Sequence, residues 1–120
     1  MMHTDLEVYK ASMLLVKNVY ELSKEFPRDE IWGLTSQMKR AATSIPSNIA
    51  EGAGRKSKKE LLYFLNVSLG SISELQTQLD IADMLGFIKD KQKLEATINI
   101  SNSVKRQLLS LIKANDKPVS

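Results

Sequence analysis

The chain contains no cysteine. That removes disulfides, thiolate metal ligands and cysteine nucleophiles together, and it suits a reducing compartment. It has one histidine, His3, too few for a Ser-His-Asp triad or a histidine-built zinc site. His3 stands beside the first methionines and is expected to be disordered. Uncharged runs are short: the longest, Leu61 to Ser73, has 13 residues, below the 18 or more of a membrane span. Asp5 and Glu7 stand where a signal peptide is basic and then apolar. No Glu-x-x-His pair is present for a di-iron centre. Gly52-Ala53-Gly54-Arg55-Lys56-Ser57 lacks the glycine spacing and the preceding strand of a phosphate-binding loop. These absences leave a cytoplasmic, non-enzymatic protein with no catalytic residue, metal or cofactor as the expectation, and no membrane association.

What is present is an ordinary globular composition over 120 residues, 42% hydrophobic and 26% charged, enough for one domain with one core. There is no strand alternation and no internal repeat. Five glycines and three prolines divide the chain into four long pieces with helical periodicity. Thr4-Asp5-Leu6-Glu7 reads as a capping box opening a first helix over about 5–26. Its apolar face runs through Leu6, Tyr9, Met13, Val16 and Tyr20, widened by Val8, Leu14, Leu15, Val19, Leu22 and Phe26. That is more apolar surface than one core requires, so part of it is an expected interface. Pro27 ends this helix, and a second over 29–51 buries Ile31, Leu34, Met38, Ala41, Ala42, Ile45 and Ile49. Pro46 inside it predicts a kink, with neighbouring hydroxyl and amide groups satisfying freed backbone atoms.

Gly52-Ala53-Gly54 ends the second helix through a left-handed glycine. Ser57-Lys58-Lys59-Glu60 caps a third over 58–85, with an a/d pattern from Leu61 to Ala82 and Gly86 as its C-terminal stop. Gly70, in mid-helix, costs about 1 kcal/mol against alanine and points to close approach by a neighbouring helix, as Gly33 does in the second. Asp90 caps a fourth helix over 90–114, weak in its middle at Asn99, Ser101, Asn102 and Ser103. Residues 115–120 are expected to fray. Short connections between long helices force antiparallel neighbours, hence an all-α, up-down-up-down four-helix bundle.

The stretch Gln37-Met-Lys-Arg-Ala-Ala-Thr-Ser-Ile-Pro-Ser-Asn-Ile-Ala-Glu-Gly-Ala-Gly-Arg55 is more specific than any periodicity. With Phe26-Pro27 upstream and Gly70-Ser71-x-x-Glu74-Leu75 downstream, it resembles the bacterial four-helix-bundle family of proteins encoded in 23S rRNA intervening sequences. That family includes the accessory variability determinant of diversity-generating retroelements. The resemblance covers about residues 5–115. It departs from the family at Tyr9, where tryptophan is frequent, and at Ala53, where a larger residue is common. The resemblance implies the four-helix fold, a homo-pentamer and no catalytic residue. For the retroelement branch it implies binding to a reverse transcriptase and to RNA or DNA through a basic surface.

Charge is segregated along the chain. Residues 39–59 carry Lys39, Arg40, Arg55, Lys56, Lys58 and Lys59 against Glu51 alone, whereas residues 60–88 have no basic residue and four acidic ones. The six cations are the candidate nucleic-acid site, because helix-start N–H groups joined to lysine and arginine suit phosphate. The same cations also fit a purely structural or protein-interaction scaffold, in which they form ion pairs between subunits. No RNA-recognition aromatic motif accompanies them, so binding would be led by the phosphate backbone. A second basic run, Lys89, Lys91 and Lys93, is the fallback site. Arg40, Ser44, Asn48, Glu51 and Arg55 form a polar stripe on the second helix. It fits either a working Arg40–Glu51 pair or hydrogen bonds between helices or protomers, with Glu74 as a partner for Arg40 or Arg55. Glu51 and Glu74 are the one carboxylate pair available for acid–base work. Trp32 is expected as a packing or interface residue near the start of the second helix.

Overall fold

The computed structural model describes residues 2–116 and contains four α-helices and no strand among them. They are α1 (Glu7–Ser23), α2 (Leu34–Ala53), α3 (Lys58–Met84) and α4 (Lys91–Asn115). Short 3₁₀ turns at His3–Asp5 and Arg28–Glu30 precede α1 and α2. Each helix packs on two neighbours, in the cycle α1–α2–α3–α4–α1, and the backbones of diagonal helices stay more than 8 Å apart at every Cα pair. The result is a rod of 53 × 25 × 22 Å. Side-chain contacts give the antiparallel sense. Glu21 near the end of α1 meets Lys93 near the start of α4, and Lys39 near the start of α2 lies over Tyr20. Ser44 bonds Ser71, and Ser68 bonds the Ile45 carbonyl.

Several termini follow local chemistry. The Ser57 hydroxyl accepts from Glu60 N–H at 3.1 Å and the Asp90 carboxylate from Lys93 N–H at 3.0 Å. Gly86, at φ 76°, closes α3: Phe87 N–H donates to Ala82 O and Gly86 N–H to Asp83 O, both 3.0 Å, a Schellman closure. Phe87 then packs near Phe26, 5.7 Å between ring centroids.

Other termini differ from the sequence expectation. Thr4 does not cap α1; it lies in the 3₁₀ turn, and Leu6 takes the cap position with no side-chain bond. His3 is half-buried, edge-on to Tyr9 at 4.9 Å, a ring contact that the sequence pattern does not reveal. α1 stops at Ser23, short of Phe26, as the next amides tighten onto Glu21, Leu22 and Ser23 carbonyls. α2 begins at Leu34, because the 3₁₀ turn and Gly33 occupy 28–33 and Glu30 Oε1 accepts from Leu34 N–H at 3.1 Å. Ile31 is consequently exposed at 56% and Trp32 at 90%, so neither packs in the core. α2 runs unbroken through Pro46 to Ala53, with Ser47 and Asn48 donating to the Thr43 and Ser44 carbonyls at 2.8 Å each. Its terminal Gly54 has φ −84°, which is right-handed. Of the fraying tail, Asn115 still belongs to α4, and 117–120 lie outside the described residues.

The core is centred on Leu15, Val19, Met38, Ile45, Ile49, Ile72, Leu75, Leu79, Val104 and Leu108, all at most 1% exposed. Each large aliphatic side chain so buried contributes about 1.5–3 kcal/mol. The inward face of α1 is Val8, Ser12, Leu15, Val19 and Leu22, rotated from the expected one; Met13 and Tyr20 are exposed. Ser12 conceals this period: its hydroxyl donates to Tyr9 O at 2.7 Å, so it enters the core without an orphaned polar group. Thr97 and Ser101 do the same on α4. Ser101 Oγ and Asn102 Oδ1 also accept from Gln76 Nε2 at 3.0 and 2.9 Å, so the weak middle of α4 is tied to α3.

The helix contact inferred at Gly70 lies at Gly52. A Cβ on Gly70 would meet nothing within 4 Å, whereas one on Gly52 would lie 3.1 Å from Phe64 Cβ and 3.2 Å from Leu61 Cδ1. The three atoms nearest a Cβ on Gly33 all belong to Glu30, with Oε1 at 3.0 Å, and none of them to a neighbouring helix.

Candidate functional site

The six basic candidates fall into three places. Lys39 is half-buried, its Nζ 4.8 Å from the centroid of the Tyr20 ring, where it joins α2 to α1 as a cation–π contact. Arg40 is exposed on α2, with no ion pair among the described residues. It lies 15 residues, about 22 Å along a helix, from the remaining four at the α2–α3 turn.

At that turn Arg55 is committed. Its guanidinium donates to Glu51 Oε2 at 3.2 Å, lies 3.7 Å from Glu60 Oε2, and sits 5.1 Å from the centroid of the Phe64 ring. It staples the end of α2 to the start of α3. Lys56, Lys58 and Lys59 are exposed and form no ion pair among the described residues. Lys58 and Lys59 are the first two residues of α3, where the helix dipole disfavours cations by about 0.3–1 kcal/mol each. The turn therefore presents three free lysines beside unsatisfied helix-start N–H groups. The fallback cluster is less available, because Lys91 pairs with Asp83 and Lys93 with Glu21.

The polar stripe works between helices and within α2. Ser44 Oγ and Ser71 Oγ are 2.9 Å apart, and Asn48 Nδ2 donates to Ser44 Oγ at 3.0 Å. No Arg40–Glu51 pair forms among the described residues: the two stand 11 residues, about 16 Å, apart along α2, and Glu51 pairs with Arg55 instead. Glu74 pairs with neither arginine and accepts from Gln78 Nε2 at 3.2 Å, one turn along its own helix. Glu51 and Glu74 are not brought together either: Gly52, beside Glu51, packs on Leu61 and Phe64, three to four turns of α3 away from Glu74.

Two partnered groups have perturbed titrations. The Glu21 carboxyl is held below the ordinary range chiefly by the hydrogen bond from Lys93 Nζ, and that ammonium is held above its own by the same bond. The pair ties α1 to α4. No group of three or more His, Asp or Glu side chains converges for a metal among the described residues. An apolar cavity of about 170 Å³ lies at the end of the rod that carries the α2–α3 turn, lined by Leu6, Ile49, Ala53, Leu61, Leu65, Leu111 and Asn115. No described helix is long and apolar enough to cross a membrane.

Three comparisons frame these observations. No curated protein matches the chain. Among solved structures, a 1.70 Å crystal structure of a protein of unknown function from the S23 ribosomal protein family of Bacteroides thetaiotaomicron VPI-5482 has the same fold. Its TM-score is 0.80 at 24% identity, over 88% of this chain and 98% of that one. The family model for the 23S rRNA-intervening sequence protein matches residues 4–110, nearly the whole bundle, and the chain belongs to that family.

Proposed function

We propose that the chain is a non-enzymatic, self-assembling bundle of the cytoplasm that presents a basic end to RNA or DNA, or to a polymerase that handles them. The observation that carries this reading is the state of Lys56, Lys58 and Lys59. They are exposed and without ion pairs among the described residues, at a helix start that disfavours cations until an anion arrives. Arg55, fixed between Glu51 and Glu60, sets the shape of the turn and is a positioning residue. Self-assembly draws support from Met13 and Leu14, exposed at 46% and 48% on the outer side of α1.

Replacing Lys56, Lys58 and Lys59 together by glutamine tests the site. Affinity for a single-stranded oligonucleotide is expected to fall while far-UV circular dichroism is unchanged. Unchanged affinity would remove the α2–α3 turn as the site. Light scattering of the unmodified chain tests assembly, and a monomer mass at micromolar concentration would end that part of the proposal.

A further inference from the structure

The apolar cavity of about 170 Å³ at the end of the rod lies where all four helices converge. Ile49 and Ala53 reach it from the end of α2, Leu61 and Leu65 from the start of α3, and Leu111 and Asn115 from the end of α4. The α1 side supplies Leu6 alone, an extended residue (φ −72°, ψ 131°) just ahead of the helix. Three sides thus give two residues each and the fourth gives one, which leaves the core unfilled at this corner. Nor can α2 and α3 close over it. A Cβ on Gly52 would lie 3.1 Å from Phe64 Cβ, so these helices are already at closest approach beside the cavity, and Arg55 holds their turn between Glu51 and Glu60. Ile49 and Leu65 are buried and form the floor, and the exposed Ala53 marks the mouth.

The lining decides what fits. Among the described residues no charged side chain borders the cavity, and the one polar side chain, Asn115, donates from Nδ2 to the Leu111 carbonyl at 2.8 Å. A buried water needs about two to four polar partners, so this space holds water poorly. An ion would be buried there without a partner. A neutral apolar ligand gains the dispersion contacts that the walls lack and displaces no firmly held water. Size narrows the class further. A cavity of about 150 Å³ lined by Leu, Ile and Phe takes benzene. At the packing density of protein interiors, about 0.74, a space of 170 Å³ holds about 125 Å³ of molecule. That is one aromatic ring with a small substituent, and the space is well below the roughly 300 Å³ or more of common cofactor pockets.

We propose that this cavity is a binding site for a small, neutral, apolar molecule about the size of benzene or toluene. Ile49, Leu61, Leu65 and Leu111 enclose the ring, and Ala53, the smallest side chain of the lining, leaves room for it. The site is a pocket between the helices of a bundle. It uses none of the exposed lysines and does not depend on nucleic-acid binding.

Methyl NMR of the isoleucine- and leucine-labelled chain reads the site directly. Titrated benzene is expected to shift the Leu6, Ile49, Leu61, Leu65 and Leu111 methyls saturably. Leu22 and Ile88, at the other end of the rod, stay in place. Benzoate and benzylamine, charged molecules with the same ring, shift none of them. Tm rises with benzene concentration, as for any ligand of the folded state alone. Ala53→Leu puts a larger side chain into the mouth and lowers benzene affinity about tenfold or more, with circular dichroism unchanged. Should that variant lose helix, the methyl map and the charged controls decide alone. The absence of a saturable shift, shifts spread over the whole core, benzoate acting as well as benzene, or unchanged affinity in folded Ala53→Leu overturns the proposal. So does binding that appears only once residues 117–120 are removed, since the chain's own end would then own the cavity.

Discussion

Gly52 and Gly70 offer the same substitution with opposite outcomes. Both lie inside helices, where glycine to alanine gains about 1 kcal/mol from backbone entropy and helix propensity. At Gly70 the added methyl meets nothing within 4 Å, so Gly70→Ala keeps the full gain. At Gly52 the methyl lies 3.1 Å from Phe64 Cβ, 3.2 Å from Leu61 Cδ1 and 3.4 Å from Leu61 O. Phe64 Cβ is anchored to backbone, so α2 and α3 must separate by a few tenths of an ångström. That separation pulls on the Ser68–Ile45 and Ser44–Ser71 bonds. Overpacking of this kind costs about 1–3 kcal/mol, which leaves Gly52→Ala destabilised by about 1 kcal/mol. The two variants therefore differ by about 2 kcal/mol, or roughly 6–12 °C in Tm at this chain length. Urea unfolding followed by circular dichroism reads the difference as midpoint shifts of opposite sign at constant slope. A stabilised Gly52→Ala would refute the close helix contact. A destabilised Gly70→Ala would show that another surface packs on α3 at that point.

Three further outcomes follow from the same contacts. Because the Glu21 pKa is depressed in the fold, its stabilisation is complete above the ordinary carboxylate range and is lost as pH falls through the folded value. Urea midpoints of the unmodified chain and Glu21→Gln should differ at pH 7 and converge as pH falls below the depressed folded value; a gap independent of pH would contradict the pair. Arg55→Gln should cost at most about 1 kcal/mol, since the pairs are solvent-exposed. It should quicken amide exchange at residues 54–60 while the core stays protected, and uniform exchange would deny the staple. Ser57→Ala should lose about 1 kcal/mol with the cap, measured by thermal melting, and an unchanged Tm would remove the cap from the account.

What the sequence makes legible is mostly local chemistry. Ser57, Asp90 and Gly86 mark helix ends because their partners lie within three to five residues, and the a/d stripe of α3 survives as Leu65, Ser68, Ile72, Leu75 and Leu79 in the core. Hydrogen-bonded hydroxyls hide what is less regular. Ser12 sits in the core of α1 at 0% exposure, so a purely apolar count selects a face turned toward Met13 and Tyr20. The late start of α2 depends on a 3₁₀ turn and the Glu30 cap, which no periodicity announces. The glycine contact and the commitment of Arg55 are set by α3 folding back on α2. That is why Gly70 and a free Arg55 are reasonable inferences from sequence and differ from the fold. In the basic set, Lys56, Lys58 and Lys59 are legible as a cluster because they share one turn. Lys39 and Arg40 belong to other faces of α2, which their place in sequence does not separate from that turn.

The central claim is that the lysines of the α2–α3 turn meet phosphate. The most direct measurement is the affinity of the chain for a single-stranded RNA oligonucleotide across a range of salt concentrations. Each phosphate neutralised on a single strand contributes about −0.7 to the slope of log K against log salt. The account predicts measurable affinity at low salt and a steep negative slope, made shallower by about 2 in the Lys56, Lys58 and Lys59 glutamine variant. No binding at low salt, or the same slope in both proteins, would contradict it.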